Sequence, residues 1–183
     1  INVIVSTDNN EIKNIACNVG ADVPFLRPEI LANDTSASID YILHAIEFFS
    51  ESNIKIENII ILQPTSPLRT SKDIIEAINL YECKKGASLI SVYEEHTLNN
   101  KIIYTKDGHY GYPVDDTHNH GQRRQDDEIY LVRNGAIYIT SVDYLKAEKK
   151  IISDKPIVYV MPKYRSINID TRDDLLAAEK LLK

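Results

Sequence analysis

Apolar residues recur along this chain at two spacings that take turns. Short β-branched runs at Asn2-Val3-Ile4-Val5, around Val23 to Leu26, at Asn58-Ile59-Ile60-Ile61-Leu62 and from Ala87 to Val92 read as strands. Between them apolar positions fall three and four apart, which is helical spacing: Ile12, Ile15 and Ala16, then Ile39, Ile42, Leu43, Ile46 and Phe49, then Ile74, Ile75 and Ile78. Asp8 and Glu11 have capping-box spacing at the start of the first helix, which stops near Gly20. The second begins at Ser36, and Ser71 is placed to cap the third. The 58–62 run has no polar alternation, the mark of a strand covered on both faces. Strand and helix alternate three times over short connections, which predicts βαβ units, right-handed crossovers and a largely parallel sheet.

The pattern changes from Tyr93 to about Glu128. Lys101 to Thr105 and Tyr110 to Val114 alternate around Asp107-Gly108, a hairpin signal, and a polar stretch follows from Asp115 to Gln125. This predicts an arm standing off the sheet. Tyr130 to Thr140 and Pro156 to Met161 are further strands, and Thr171 caps a closing helix with Leu175, Leu176, Ala178 and Leu182 on its apolar face. The expected organisation is one domain over residues 1–183, with residues 93–128 and 141–158 forming the arm and its lobe.

Composition narrows the function classes. With 183 residues, 43% hydrophobic and 26% charged, the chain is long and apolar enough to bury a core. No apolar run approaches the ~20 residues of a membrane helix, and no basic-then-apolar leader stands at the front. The expectation is a soluble, cytoplasmic protein. A net charge of −6 argues against generic nucleic-acid binding, so an anionic ligand must meet a local cationic cluster. Cys17 and Cys83 have no metal-ligand spacing and are expected to be reduced and packed. The sequence opens at Ile1 in a strand and its one methionine is Met161, which reads as part of a longer chain.

In an open α/β sheet, ligands bind beyond the carboxyl ends of the strands, here Ser6-Thr7-Asp8, the Gln63 to Arg69 loop and the residues after Ile169. The Gln63 to Arg69 loop has two stiffening prolines and the donors Gln63, Thr65, Ser66 and Arg69; it holds a polar ligand or merely connects. Arg123-Arg124-Gln125-Asp126 is either a solvated charge run or a carboxylate or phosphate site. Asp170 is either a helix-start carboxylate or a Mg²⁺ ligand shared with substrate phosphates. His118 and His120 with Asp115 and Asp116 lie in a polar loop without the fixed surroundings a metal site needs.

Several of these segments resemble the acylneuraminate cytidylyltransferases, the CMP-sialic acid synthetases. The resemblance is colinear and rests on Val5-Ser6-Thr7-Asp8, Val23-Pro24-Phe25-Leu26-Arg27-Pro28, Ser36 to Asp40, Gln63-Pro64-Thr65-Ser66-Pro67-Leu68-Arg69, Arg123 to Asp126, Asn134-Gly135-Ala136-Ile137-Tyr138-Ile139 and Ser166 to Thr171. It implies a three-layer, Rossmann-like nucleotidyltransferase fold with a mostly parallel sheet and a protruding β-hairpin dimerisation arm. The implied reaction is attack by the anomeric hydroxyl of a nine-carbon acidic sugar on the α-phosphate of CTP, with release of pyrophosphate. By position, the resemblance implies Arg27 and Ser38 as nucleotide contacts and Gln63, Lys101, Arg124, Asn134 and Tyr138 as sugar contacts. It further implies Asp170 and Arg124 as catalytic residues, Asp170 with Asn168 at a Mg²⁺, and a homodimer in which Arg124 serves the partner's site.

Three departures qualify that expectation. The family's glycine-rich phosphate loop would lie upstream of Ile1, so the 183 residues alone are expected to be inactive. Asn168 stands where relatives often have a second aspartate, and Ile151 and Ile152 where they often have aromatics. The acceptor stays open among N-acetylneuraminate, legionaminate, pseudaminate and an eight-carbon ulosonate, and a non-catalytic nucleotide- or sugar-binding module is the reading from another class. A dinucleotide oxidoreductase is disfavoured because no GxGxxG follows a strand.

Overall fold

The structure is a computed structural model that describes residues 3–33, 36–96, 103–116 and 129–182. In chain order its elements are α1 (Asn10–Asn18), α2 (Ser38–Glu51), β1 (Asn58–Ile61), α3 (Ser71–Lys84), β2 (Ser88–Glu95), β3 (Tyr104–Asp107), β4 (Tyr110–Pro113), β5 (Tyr130–Ser141), α4 (Val142–Glu148), β6 (Ile157–Val160) and α5 (Arg172–Leu182). Two compact units divide it: Ile1–Ile59 with Ser141–Ile151, and Ile60–Thr140 with Ile152–Lys183.

In the first unit the two expected strands are reduced to isolated parallel bridges, Ile4 with Asp22 and Thr7 with Leu26. Between those bridges one segment advances three residues and the other four, and Pro24 has no N–H to give, so no continuous ladder forms. Helix α1 is capped by Asn9 rather than Asp8, its Oδ1 accepting from the Glu11 and Ile12 amides at 2.7 and 3.2 Å. Its expected apolar face is exposed at Ile12 and Ile15, and only Ala16 is buried. Helix α2 buries Ile42 and Ile46 as its spacing predicts, and begins at Ser38 rather than Ser36. Helix α4 has no counterpart in the sequence reading. Ser141 caps it through the Tyr144 amide, and it buries Val142 and Leu145.

The sheet runs in the order β1-β5-β2-β6. Strand β6 lies parallel to β2, pairing Leu89 with Ile157 through Val92 with Val160, whereas β5 is antiparallel to β2. The sheet is therefore mixed at its centre, parallel between β2 and β6 and antiparallel between β2 and β5. Ala77 and Tyr81 of α3 pack on Leu89, Ala136, Ile137, Ile139 and Met161, with Ile74 and Ile78 beside them; Ile75 points to solvent.

Thr70, not Ser71, caps α3 in a reciprocal capping box with Asp73. Asp73 is 1% exposed and takes both guanidinium nitrogens of Arg165, Nη2 to Oδ1 at 2.9 Å and Nη1 to Oδ2. Burial alone would raise its carboxyl, but hydrogen bonds from Arg165 and Thr70 outweigh this and hold it below the usual range. Thr171 caps α5 as predicted, with Asp174 returning a bond to the Thr171 amide at 2.8 Å. Strands β3 and β4 form the expected hairpin, a two-stranded sheet turning at Gly108 (φ +57°). Cys17 and Cys83 are free, as expected, but exposed rather than packed: the one buried residue of α1 is Ala16, and Cys83 lies on the outer face of α3 near its end.

Candidate active site

Strand β5 breaks step at Arg133-Asn134-Gly135, the polar interruption of an otherwise apolar run. Ile90 of β2 stands opposite Tyr138, yet Val92, two residues on, stands opposite Arg133, so Asn134 to Ile137 bulge away from the ladder opposite Ser91. Gly135, at φ +75°, makes the turn that a side chain would strain. The Ile137 amide donates to Ser91 Oγ at 2.7 Å, and the Ala136 amide to Asn134 Oδ1 at 3.2 Å. The carbonyl of Ala136 accepts from Arg69 Nη1 at 2.6 Å, and that of Asn134 from Ser66 Oγ at 3.4 Å. Two sequence motifs far apart in the chain thus satisfy each other's polar groups.

The same bonds draw in the third strand-end loop. Arg69 Nη1 also reaches the Gln63 carbonyl at 3.3 Å, and the Ile169 amide donates to the Thr65 carbonyl at 2.8 Å. Burial pulls the Arg69 guanidinium below its ordinary pKa, with the Asp73 carboxylate opposing. As arginine it stays charged, and this charge is spent on carbonyls.

Polar groups gather around Gly135. Asn168 Oδ1, Ser66 Oγ and Tyr138 Oη each lie 3.8 Å from the point where a Cβ on Gly135 would stand. Gln63 is half-buried, and its side-chain amide has no hydrogen-bond partner among the described residues. Beside this group, Asn168 Nδ2 donates to Asp170 Oδ2 at 2.7 Å. Because Thr171 and Asp174 complete the α5 cap, the exposed Asp170 carboxylate is not engaged there. The exposed Asp170 carboxylate fits a Mg²⁺ that keeps waters and takes phosphate oxygens, whereas Asn168 presents Nδ2 to that carboxylate and its amide would have to turn over to offer Oδ1 to the same ion. Among the described residues no group of three or more His, Cys, Asp or Glu offers an all-protein cage.

The remaining predicted contacts are in the first unit or outside the described residues. Arg27 donates from Nε to Ser6 Oγ at 3.2 Å and from Nη2 to the Ser6 carbonyl at 2.5 Å, and its guanidinium stacks 4.6 Å from the Tyr41 ring centroid. Ser38 is exposed at the first position of α2, where Ala37 supplies no side-chain cap. Lys101, Arg124 and the rest of Arg123 to Asp126, like His118 and His120, lie outside the described residues.

The cytidylyltransferase family model matches residues 2–152. The chain belongs to the cytidylyltransferase family. The chain is 31% identical to an N-acylneuraminate cytidylyltransferase of Escherichia coli O18:K1:H7, over 94% of this chain, and spans 40% of that protein's length. It is 31% identical to a CMP-N,N'-diacetyllegionaminic acid synthase of Legionella pneumophila, over 99% of this chain and 78% of that protein. A Campylobacter jejuni pseudaminic acid cytidylyltransferase is 28% identical over 99% of this chain and 78% of its own length. In fold it matches a CMP:2-keto-3-deoxy-manno-octonic acid synthetase complexed with CTP, with a TM-score of 0.66, 14% identity, and coverage of 100% of this chain and 80% of that one. The expected nucleotidyltransferase fold is therefore present. No helix among the described residues is long and apolar enough to cross a membrane.

Sequence reasoning singled out Ser66 and Arg69 as loop donors but not their acceptors in the bulge. It passed over Ser91, Asp73 and Arg165. The available signal for Ser91 was a hydroxyl inside the otherwise apolar run Ala87 to Val92.

Proposed function

We propose that this cytidylyltransferase transfers CMP from CTP to the anomeric hydroxyl of a nine-carbon acidic sugar of the sialic or legionaminic type, releasing pyrophosphate. The observation that carries this reading is the interlock of the Gln63 to Arg69 loop with the Asn134 to Tyr138 bulge, which brings the half-buried Tyr138 and Asn168 together over the buried Ser66 hydroxyl. Relatives named for sialic, legionaminic and pseudaminic acids support the substrate class. Pseudaminate and an eight-carbon ulosonate are the alternative acceptors.

The reaction forms a bond from the anomeric oxygen to the α-phosphorus and breaks the bond to pyrophosphate. Its difficulty is the approach of an anionic sugar to a polyanionic nucleotide. Asp170 and Asn168 would hold Mg²⁺, which screens phosphate charge and polarises the P–O bonds when bound. Gln63 and the Tyr138 hydroxyl orient the sugar hydroxyls, while Arg27, fixed on Ser6 and stacked over Tyr41, and Ser38 meet the nucleotide. Lys101 and Arg124 neutralise the sugar carboxylate, Arg124 from a second copy of the chain.

The test is pyrophosphate release from CTP by the full native protein with N-acetylneuraminate, legionaminate, pseudaminate and an eight-carbon ulosonate in parallel. The expected result is turnover with one nine-carbon acid that EDTA abolishes. CTP binding without turnover on any acid would instead favour a binding module. Asn168→Asp restores a second carboxylate, so half-maximal activity is expected at severalfold lower Mg²⁺. An unchanged Mg²⁺ titration would remove Asn168 from the metal's ligands.

The dimer rests on the hairpin, where Tyr110 and Tyr112 project from one face of β4 and are 75% and 53% exposed. A protein carrying Tyr110→Ser and Tyr112→Ser is expected to be monomeric by light scattering at micromolar concentration, where the native protein is dimeric. A native monomer under the same conditions would end the proposal that Arg124 acts in trans.

A further inference from the structure

Asn134 lies in the motif that points to the sugar, yet its side chain has nothing left to offer one. A carboxamide donates two hydrogen bonds and accepts two. Here Nδ2 donates to Ser166 Oγ at 2.9 Å and to Met161 Sδ at 3.4 Å. Oδ1 accepts from Ser91 Oγ at 2.6 Å and from the Ala136 amide at 3.2 Å. The residue is 4% exposed, so a ligand touching this amide would first have to break one of those bonds.

We propose that Asn134 is a positioning residue, not a sugar contact, and that it acts by holding the Gly135 turn in the shape that gathers Ser66, Tyr138 and Asn168. The Oδ1 bond to the Ala136 amide closes an Asx turn across Gly135, the residue at positive φ. Ser91 locks that turn from β2. Its hydroxyl accepts from the Ile137 amide at 2.7 Å and gives its proton to Asn134 Oδ1, so one side chain replaces the ladder bonds that the bulge removes. Ser166, which receives the amide's other end, donates to the Pro162 carbonyl at 3.0 Å and so ties the turn to the segment leading to Asn168. Loss of the lock frees Gly135, whose backbone has more conformations open to it than any other residue's, and the three polar groups lose their common focus.

The inference rests on the reading of this polar cluster as the sugar side of a CMP-transfer site, and Ser91 separates the two. Ser91 is 1% exposed and can touch no ligand. In the full native protein, Ser91→Ala and Asn134→Ala are each expected to raise KM for the accepted sugar by about tenfold, with KM for CTP changed less than about twofold. The double variant should be no worse than either single, because both remove the same constraint. A silent Ser91→Ala beside an impaired Asn134→Ala would make Asn134 a direct contact and overturn the proposal. Lowered melting temperatures with unaltered kinetics well below them would leave a purely structural role, which also overturns it. If the native protein turns over no acidic sugar, the functional reading falls by itself, and amide hydrogen exchange decides the positioning: Ser91→Ala must accelerate exchange at Ala136, and unchanged protection there refutes the lock.

Discussion

Arg165→Met is expected to lower the unfolding free energy by about 3 kcal/mol, because it leaves a carboxylate buried without its cation. Asp73 stands at the start of α3 with 1% exposure, and Arg165 is its one salt-bridge partner among the described residues. The bonds from Thr70 and from Tyr159 Oη, the latter at 3.3 Å, remain but do not supply a full charge. Urea titration should show a lower midpoint with an unchanged slope. The sign of the pH dependence follows from the direction of the shift. A carboxyl held low in the folded state contributes stability above its unfolded pKa of about 4, and that contribution disappears as pH falls through the folded value. In the variant, burial prevails and Asp73 protonates at higher pH, so the gap between native and variant narrows toward pH 3. A gap that stays constant across this range would mean that Asp73 is not the group Arg165 stabilises.

Asp170→Ala is expected to cut pyrophosphate release by about a hundredfold or more, with stability changed by less than about 0.5 kcal/mol. The two readouts part because Asp170 is exposed and its carboxylate bonds to Asn168, while the α5 cap uses Asp174. Asp174→Ala is the contrasting substitution. It breaks the capping box and should lower the urea midpoint of unfolding, with a smaller loss of activity. Hydrogen bonds from the Thr171 side chain and amide and from the Asp170 amide hold Asp174 below the usual carboxylate range, as expected of a carboxylate serving a helix start. Turnover by Asp170→Ala within threefold of the native protein would take Asp170 out of the site.

Elements whose signals are local and redundant were legible in the sequence. The run at Asn58 to Ile61, the spacing of Ile42 and Ile46, Asp107-Gly108 at the hairpin and Thr171 before α5 each specify their own structure over a few residues. Cap positions were one residue off at Asn9 and Thr70. Adjacent polar side chains compete there for the same amides, and the entry angle of the backbone decides between them. The exposed face of α1 was misread because periodicity tells which residues share a face and not whether anything covers it. The bulge was invisible for a different reason. The polar break Arg133-Asn134-Gly135 within Tyr130 to Thr140 does not by itself say where pairing resumes, and the register jump depends on Ser91, in a strand much earlier in the chain. At the candidate site the motifs fall on loops that the fold brings together. What they could not convey was that Asn134 and Arg69 turn their polar groups inward, onto the amide and the carbonyl of Ala136.

The two exposed cysteines have a practical use. Cys17 belongs to the first compact unit and Cys83 to the second, and both thiols face solvent. The native sequence therefore carries a matched pair of labelling sites, one on each body. Spin labels or a donor and acceptor dye attached there would follow the distance between the units as CTP and then sugar are added, with no residue of the chain altered.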